Sequence, residues 1–306
     1  MPRNKILKRL RKDIAYICIK GFIGFFCALP RKTALRIGAF LGMIIPFIMR
    51  KEYRLAKENL SAAFGIPKDG KAVSKLARDT FRCMAMNFVD SIRLRVMSNE
   101  EIRSVSVPHN MEALYAVMEK GGAVLLTSHT GCWELMGSYI ASEGMPIAAI
   151  ARKLYDERLE KVLSGIRERA GVKVISRGEN TREIIRALKD GYGVGVLIDQ
   201  DTKVKGAFVD FFGKPAYTPT GPAYLSLRYG VPIVPIFTYR DKDDCHHACI
   251  GDPITIVESG DRERDVIELT ARCSKVTEDF IREHPEQWVW FHQRWKTLPP
   301  NNRNGE

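Results

Sequence analysis

A histidine and a glutamate five positions apart form the part of this sequence best suited to acid–base chemistry. They are His129 and Glu134, in the segment Ser-His-Thr-Gly-Cys-Trp-Glu, which follows a short apolar run. On one continuous helix the two side chains would lie about 140° apart and could not meet. They can meet only if His129 lies on a turn and Glu134 near the start of a helix. We therefore predict that Glu134 holds one imidazole nitrogen of His129, which leaves the other as a general base.

Charged or titratable residues follow four successive predicted strands. His129 follows the first strand, Arg152 the second, Arg177 the third and Asp199 the fourth. Ligands of parallel sheets bind beyond the carboxyl ends of the strands, so these side chains are predicted to converge on one site. The free N–H groups near Gly131, at the start of a predicted helix, would stabilise a developing oxyanion there.

The elements that position these residues alternate between apolar runs of strand length and amphipathic helical stretches. The predicted strands are Ala123–Thr127, Pro146–Ala151, Val172–Ile175, Val194–Ile198, Ile233–Tyr239 and Ala248–Val257. The predicted helices are Asn110–Lys120, Cys132–Glu143, Tyr155–Ala170, Thr181–Asp190, Pro222–Tyr229 and Arg264–Glu283. This order predicts an α/β fold with a largely parallel central sheet that helices cover on both faces.

The composition is that of a globular protein, and its positive charge lies at one end. Of the 306 residues, 45% are hydrophobic and 27% are charged, which excludes collagenous, mucin-like and disordered classes. Residues 1–60 carry fourteen Lys and Arg against three acids, a net +11 of the protein's +12. A nucleic-acid binder usually carries its basic surface on the folded domain, so we predict no nucleic-acid partner. Seven scattered cysteines without a CxxC pair indicate reduced thiols.

The basic end surrounds two apolar runs, Ile14–Leu29 and Thr33–Met49. Each is shorter than the ~20 apolar residues that an untilted spanning helix needs, although a single span by the first run stays open. A cleaved signal peptide fits poorly, because Ala28-Leu29-Pro30-Arg31 is a poor cleavage site. We predict a membrane-embedded, non-spanning pair of helices whose Lys and Arg side chains reach anionic headgroups. An ordinary core helix with a basic face is the alternative.

The chain is predicted to contain one catalytic domain and no long linker. Residues 1–60 form the hydrophobic, basic helical region that binds membrane, residues 61–300 the catalytic domain, and residues 301–306 a polar tail. No internal repeat or low-complexity tract divides the sequence further.

Rival chemistries fit fewer residues. Cys132 has no activator other than His129, and no GxSxG elbow is present, so nucleophilic catalysis is the weaker hypothesis. The glycines of 191–195 precede their strand, which favours a turn and tight packing over dinucleotide binding. The Cys245–Cys249 segment holds two cysteines and two histidines, but it lies at a connection between predicted strands, so zinc is disfavoured. A divalent metal on His129, Asp199 and Asp201 would give a phosphodiesterase, but further ligands are lacking; we predict no metal.

Taken with further segments, the histidine motif resembles the glycerolipid acyltransferase superfamily, which uses His-x4-Asp/Glu. Within that superfamily the chain resembles the lipid A biosynthesis acyltransferases, the late lauroyl and myristoyl transferases of Gram-negative bacteria. The supporting segments are HTGCWELMG (129–137), Arg167-Glu-Arg169-Ala-Gly171, Ile-Ser-Arg177, Asp199-Gln-Asp201, FFGKPAYTPTGPA (211–223) and PEQWVWFHQRWK (285–296). The resemblance covers nearly the whole chain. The FPEGTRS-like block of the glycerol-phosphate branch is not in the sequence.

The resemblance implies transfer of a fatty acyl chain from acyl carrier protein to a hydroxyl of a lipid A precursor. It also implies an enzyme at the cytoplasmic face of the inner membrane that needs no metal or other cofactor. The implied catalytic residues are His129 as general base, Glu134 as its partner, Arg167 and Asp199. The residues assigned to substrate binding are Arg152, Arg169, Arg177, Trp133 and Phe211.

Acyl transfer from a thioester agrees with this assignment. His129 would remove the proton of the incoming hydroxyl, so no covalent intermediate is required and a ternary complex is expected. Arg167 or the N–H groups around Gly131 are candidate donors to the tetrahedral oxyanion. Trp133 and Phe211, with Leu135, Met136 and Phe212, are candidates for an apolar slot, and core packing is the alternative for each of them.

Two alternatives remain open at this stage. The same chemistry on another glycolipid or phospholipid, such as a phosphatidylinositol mannoside, is the runner-up. A non-catalytic lipid-binding protein of the same fold would also keep these segments. The sequence encodes neither the acyl chain length nor the identity of the acceptor.

Overall fold

The computed structural model describes residues 2–151, 156–176 and 181–300. The helices are α1 (Pro2–Ala28), α2 (Arg31–Ile48), α3 (Arg50–Phe64), α4 (Lys71–Arg93), α5 (Asn99–Ser104), α6 (Met111–Met118), α7 (Trp133–Ser142), α8 (Glu157–Arg169), α9 (Thr181–Lys189), α10 (Gly221–Tyr229) and α11 (Arg262–Glu283). The strands are β1 (Ser106–His109), β2 (Ala123–Thr127), β3 (Ile147–Ala151), β4 (Val172–Ser176), β5 (Gly193–Leu197), β6 (Gly206–Phe211), β7 (Lys214–Pro219), β8 (Ile233–Arg240) and β9 (His246–Ile250). A short 3-10 helix, Pro285–Gln287, follows α11.

In the described part of the chain, seven strands form the central sheet, in the order β1-β9-β8-β2-β5-β3-β4. Every neighbouring pair is parallel except the antiparallel pair β8–β9. The strands β6 and β7 form a separate antiparallel hairpin. The predicted α/β class with a mostly parallel sheet is therefore confirmed.

Helices cover both faces of this sheet, and β2 shows why its sequence is apolar throughout. All five of its residues are buried. Leu125 packs into a core with residues of α5 to α8, whereas Val124 and Leu126 pack into a second core with residues of α9 to α11. Since side chains alternate between the two faces of a strand, a strand buried on both sides needs apolar residues at consecutive positions.

The N-terminal helices pack on the rest of the molecule through α4. Gly38 and Gly42 of α2 lie against it so closely that a β-carbon at Gly42 would be 2.6 Å from the Cα of Arg82. Glycine is required at this position because the two helix backbones leave no room for a side chain. Ile23 and Phe26 of α1 are buried in the same apolar cluster as residues of α2 and α4.

A buried cluster of polar residues, the Asp90 cluster, joins this helical layer to the sheet. Its members are Arg31 of α2, Asn87 and Asp90 of α4, Arg240 of β8 and His246 of β9. Asp90 accepts hydrogen bonds from Arg31 at 2.7 and 2.9 Å, from Arg240 at 2.8 Å and from His246 Nε2 at 2.9 Å. Arg240 also donates to the side-chain oxygen of Asn87.

The charges of this cluster compensate each other inside the protein. Burial alone would raise the pKa of Asp90, but its bonds to His246, Arg240 and Arg31 bring that pKa well below its ordinary range. Burial, helped by the nearby charge of Arg240, lowers the pKa of His246 to about 4. The imidazole is therefore neutral at physiological pH and donates its Nε2 proton to the carboxylate.

No single helix in the described part of the chain has the length and apolar character to cross a membrane. The pair α2 and α3, which meet at a bend of 94°, passes that test of length and composition only when taken together. Membrane binding by residues 1–60 and the division at residue 60 stay predictions.

Two sequence predictions need correction at the end of the sheet. The strand predicted over Ala248–Val257 spans only His246–Ile250, because Gly251 and Pro253 interrupt it and only an isolated bridge at Ile254 continues the pairing. The predicted polar connection through His246 and His247 therefore lies partly within β9. The β6–β7 hairpin was not predicted from the sequence.

Candidate active site

Two sheet neighbours bring the candidate catalytic residues together. In the pairing of β2 with β5, Thr127 lies opposite Leu197. His129 and Asp199 each follow two residues later, so both leave the sheet side by side at its carboxyl edge. The predicted convergence of strand ends is therefore realised for these two residues.

Asp199, rather than Glu134, is the partner of the histidine. The Nδ1 atom of His129 lies 2.9 Å from Oδ1 of Asp199, and the backbone N–H of His129 donates to Oδ2 at 2.8 Å. With Nδ1 bonded to the carboxylate, Nε2 is left to take a proton. The prediction that Glu134 orients the imidazole is corrected: sheet pairing, which linear spacing does not reveal, brings a residue 70 positions away into contact.

Asp199 is suited to hold the imidazole because it stays ionised although it is buried. Burial acts to raise its pKa, but the charge of His129 and the hydrogen bonds from His129 and Trp288 outweigh burial and lower that pKa to about 2. The indole Nε1–H of Trp288 donates to Oδ2 at 2.7 Å. A carboxylate with several donors keeps the histidine in the tautomer with Nδ1 protonated.

The turn that carries His129 is fixed by the segment that follows α11. The N–H of Gly131 donates to the carbonyl of Gln287 at 3.1 Å, and Thr130 forms an isolated antiparallel bridge with Trp288. Gly131 has φ +52°, and a β-carbon there would lie 2.4 Å from the carbonyl oxygen of Thr238. The turn therefore requires glycine both for its backbone conformation and for its close approach to β8.

Glu134 belongs to a second charged pair beside the first. It is the second residue of α7, and its carboxylate accepts two hydrogen bonds from Arg167 of α8, from Nε at 2.8 Å and from Nη2 at 2.5 Å. The bond to Glu134 raises the pKa of Arg167, against the effect of burial. This fork-to-fork pairing fixes the guanidinium plane. Because Nε and Nη2 are used, Nη1 of Arg167 is the group left for another acceptor.

The residues predicted to contact an acyl chain separate into two groups. Trp133 lies beside the histidine, with its ring edge-on to that of His129 at 4.9 Å between centroids. Phe211 instead is buried in an aromatic core among Phe212, Trp288 and Trp295. The prediction that Phe211 lines a substrate slot is therefore corrected to a packing role behind Trp288. Leu135, Met136 and Phe212 are also buried in cores.

The predicted substrate arginines are only partly placed by the structure. Arg169 is exposed at the last turn of α8. Since it follows Arg167 by two residues, it lies on another face of that helix. Arg152 and Arg177 lie outside the described residues, so their predicted contact with substrate stays a prediction.

Sequence reasoning assigned no role to three residues after α11 that lie near the pair. Trp288 contacts Asp199 directly. His292 is close enough to Asp199 and His129 for their charges to affect it, although burial dominates and lowers its pKa. Arg294 is buried, donates to the carbonyl of Tyr217 at 2.6 Å, and has a pKa lowered by burial to about 10. The sequence signal for these residues is the aromatic segment 285–296, which had served only as a motif in support of the family resemblance.

The structure also places the residues of the rival hypotheses. Cys132 is buried, its thiol donates to the carbonyl of Asn87 at 3.4 Å, and burial raises its pKa to about 12, so it does not supply a thiolate. Gly193 packs tightly, since a β-carbon there would lie 2.6 Å from a methyl group of Leu125. Within the described ranges, no three His, Cys, Asp or Glu side chains are grouped to hold a metal ion. Asp201 accepts hydrogen bonds from Thr297.

The fold and the site together define an α/β protein with a histidine at the carboxyl edge of a mostly parallel sheet. The histidine is paired with a buried carboxylate, and a Glu–Arg pair lies beside it. The sequence model of the family "Bacterial lipid A biosynthesis acyltransferase" matches residues 2–297, and the chain belongs to this family. The resemblance drawn from the motifs is thereby confirmed.

Three known relatives match between 78% and 91% of the chain. It is 27% identical over 283 residues to the lipid A biosynthesis palmitoleoyltransferase of Escherichia coli K12, which covers 91% of this chain and 90% of the relative. It is 24% identical over 282 residues to the lauroyltransferase of the same organism, with 91% and 90% covered. It is also 24% identical over 251 residues to the phosphatidylinositol mannoside acyltransferase of Mycolicibacterium smegmatis, with 78% of each chain covered. Family membership and these relatives support an acyltransferase that acts on a glycolipid.

Proposed function

We propose that this protein transfers a fatty acyl chain from acyl carrier protein to a hydroxyl of a lipid A precursor. The observation that carries the proposal is the pair of His129 and Asp199 at the sheet edge, in a chain that belongs to the lipid A acyltransferase family. In this proposal the protein uses neither metal nor other cofactor. It acts at the cytoplasmic face of the inner membrane, where the acyl carrier protein and the nascent glycolipid meet.

The proton transfer follows from the geometry of the pair. Asp199 accepts the Nδ1 proton of His129, so Nε2 carries the lone pair that removes the proton of the acceptor hydroxyl. The alkoxide attacks the thioester carbonyl directly, and the thiol of the carrier leaves with a proton from the imidazolium. Because His129 acts as base and then as acid, no acyl-enzyme is needed. The buried Cys132 is not required in either step.

Arg167 is proposed to serve the acyl-transfer site through its remaining N–H groups. Glu134 fixes the guanidinium plane by taking Nε and Nη2, so Nη1 is available to the tetrahedral oxyanion or to a phosphate of the acceptor. The charge of a fixed guanidinium stabilises such an anion without reorganisation during the reaction. The proposed role of Glu134 is thus to hold Arg167.

Membrane association is proposed to use the bend between α2 and α3. Phe47 and Ile48, at the end of α2, are 69% and 77% exposed. The exposed cations Arg50, Lys51 and Arg54 follow them directly on α3. An exposed apolar tip flanked by cations is the pattern of a helix pair that enters the interface and binds anionic headgroups. Apolar side chains exposed on α1 and α2 extend this surface: Ile14, Ile17, Phe22, Phe25, Phe40, Met43 and Ile44.

A second acceptor has specific support. Relatives named as phosphatidylinositol mannoside acyltransferases match 78% of this chain, so the same acyl transfer to another glycolipid is the alternative acceptor. A non-catalytic lipid-binding protein of this fold is the remaining alternative, and it would not depend on the histidine.

The decisive experiment incubates membranes that contain the protein with labelled acyl carrier protein thioesters and purified glycolipid acceptors. The acceptors are a lipid A precursor and a phosphatidylinositol mannoside, and products are identified by mass spectrometry. We expect the wild type to acylate the lipid A precursor and His129→Ala to lose at least about 1,000-fold in rate, because the base is removed. Equal rates for the two proteins would refute the mechanism. Transfer to the phosphatidylinositol mannoside alone would show that this glycolipid, and not the lipid A precursor, is the acceptor.

A further inference from the structure

We propose that Trp288 is a positioning residue of the active site, whose indole N–H holds the carboxylate of Asp199 ionised and in the orientation that binds His129. The inference rests on the proposed function for its catalytic consequence. Trp288 lies in the segment that follows α11, whereas His129 and Asp199 follow the strands β2 and β5.

Trp288 is placed for this role by one direct contact. Its Nε1–H donates to Oδ2 of Asp199 at 2.7 Å, while Oδ1 of the same carboxylate bonds the imidazole at 2.9 Å. The indole N–H is only a donor, so its partner must be an acceptor. A carboxylate that receives this third bond is held as the anion, in the orientation that meets Nδ1.

The backbone around Trp288 is attached to the histidine turn, so the two cannot move independently. Thr130 bridges to Trp288, and the N–H of Gly131 donates to the carbonyl of Gln287. The side chain of Gln287 in turn donates to the carbonyl of Arg240 at 3.1 Å and accepts from its N–H at 3.2 Å. The segment is thereby fixed to β8 on one side and to the turn of His129 on the other.

The indole is surrounded by aromatic groups and shielded from water. Trp288 has no exposed surface, and it contacts Phe211 and Trp290 edge-on at 5.6 and 4.7 Å between centroids. Removal of the N–H would therefore leave Oδ2 of Asp199 with one donor fewer and without water to replace it. The carboxylate would then attract the proton of His129 more strongly, so that His129 would be freed as a base only at higher pH.

Trp290 provides a matched control in the same cluster. It too has no exposed surface, but its indole N–H donates to the carbonyl of Pro285 at 2.6 Å instead of to the carboxylate. Trp288→Phe and Trp290→Phe each remove one buried indole N–H and a similar volume. Only the first removes a donor to Asp199.

The test measures the protonation of His129 without relying on catalysis. The full-length protein in detergent is treated with diethyl pyrocarbonate between pH 5 and 8, and carbethoxylation of the peptide that contains His129 is followed by mass spectrometry. We expect Trp288→Phe to move the midpoint of this profile up by roughly one pH unit, and Trp290→Phe to leave it unchanged. In the acyl-transfer assay, Trp288→Phe should lower kcat at neutral pH by up to about tenfold with little change in KM.

Coincident profiles for Trp288→Phe and the wild type would overturn the proposal, as would equal shifts for both variants, which would indicate a packing effect. If Trp288→Phe does not fold, β-(3-benzothienyl)alanine at position 288 keeps the ring shape without the N–H and must give the same upward shift. A wild type that transfers no acyl chain would refute the proposed function alone. The modification profile would still decide the role of Trp288.

Discussion

At the scale of single residues, the two carboxylates predicted at the site, Asp199 and Glu134, have different partners. Asp199 bonds His129, and Glu134 bonds Arg167. In the proposed mechanism the first pair positions the proton that is transferred, whereas the second orients the positive charge of the guanidinium. The two functions predict different kinetic consequences for removing each carboxylate.

We expect Asp199→Asn to lower kcat about 10³- to 10⁴-fold, the scale seen when other histidines lose the carboxylate that fixes their tautomer. Glu134→Gln should lower it about tenfold, because Arg167 keeps its charge and part of its hydrogen bonding. The measurement is steady-state acyl transfer with both substrates saturating. A larger loss for Glu134→Gln than for Asp199→Asn would return Glu134 to the role of histidine partner.

The limits of sequence reasoning are clearest for these residues. The position of His129 after a strand was predictable, because the apolar run Ala123–Thr127 ends two residues before it. Asp199 was also predicted at the site, but not as the partner, because strand order is not written in the sequence. The pairing of β2 with β5, which skips β3 and β4, decides which polar ends become neighbours.

At the scale of elements, the strands were predicted most accurately from the sequence where a continuous apolar run marks them. The strands β2 and β3 were predicted to within one residue, because each is a nearly unbroken apolar run of strand length. The β6–β7 hairpin was not predicted because Gly206, Pro215 and Pro219 interrupt its strand pattern, and its turn at Phe212 has a positive φ that phenylalanine rarely adopts. The extent of β9 was overestimated, because apolar residues continue past Pro253 although only an isolated bridge at Ile254 continues the pairing there.

The contact between α2 and α4 gives a prediction at this scale. Gly42→Ala should lower the free energy of unfolding by about 1–3 kcal/mol, since the added β-carbon would lie 2.6 Å from the Cα of Arg82 and must separate the helices. Gly24→Ala in α1 is the control, because a β-carbon there has nothing within 4 Å. It should be neutral or stabilising by up to about 1 kcal/mol. Thermal unfolding of both variants in detergent provides the comparison, and equal midpoints would contradict the predicted close packing.

At the scale of the whole molecule, the buried imidazole of His246 links stability to pH. Its pKa is about 4 in the folded protein and near 6.5 when unfolded, so between these values the unfolded chain binds the extra proton. This contribution to stability is fully present above pH 6.5 and is lost as the pH falls toward 4. The loss amounts to about 3 kcal/mol at most.

The measurement compares unfolding free energies of the wild type and His246→Gln from pH 7 to pH 4. Glutamine can still donate an N–H to Asp90 but does not titrate in this range, so the difference between the proteins should shrink by up to about 3 kcal/mol as the pH falls. Parallel curves would show that His246 is not the group responsible.

The membrane surface of the whole molecule is tested at the bend of α2 and α3. Replacement of Phe47 and Ile48 by serine should weaken binding to vesicles of phosphatidylethanolamine and phosphatidylglycerol at least about tenfold, because two large apolar side chains no longer enter the lipid. Val257→Ser is the control, since Val257 is 93% exposed but lies outside the helical layer. Co-sedimentation measures both variants. Unchanged binding of the double variant would exclude the bend as the anchor.

The Asp90 cluster has a consequence for any attempt to trim the protein. Deleting the first sixty residues would remove Arg31 and strip the cover from Met86 and Val89 on α4. The carboxylate of Asp90 would then remain buried with one cation fewer, and apolar surface of α4 would be exposed to water. Such a shortened enzyme would be less stable and more prone to aggregate. The N-terminal helices of this chain are therefore also part of the scaffold that supports the candidate active site.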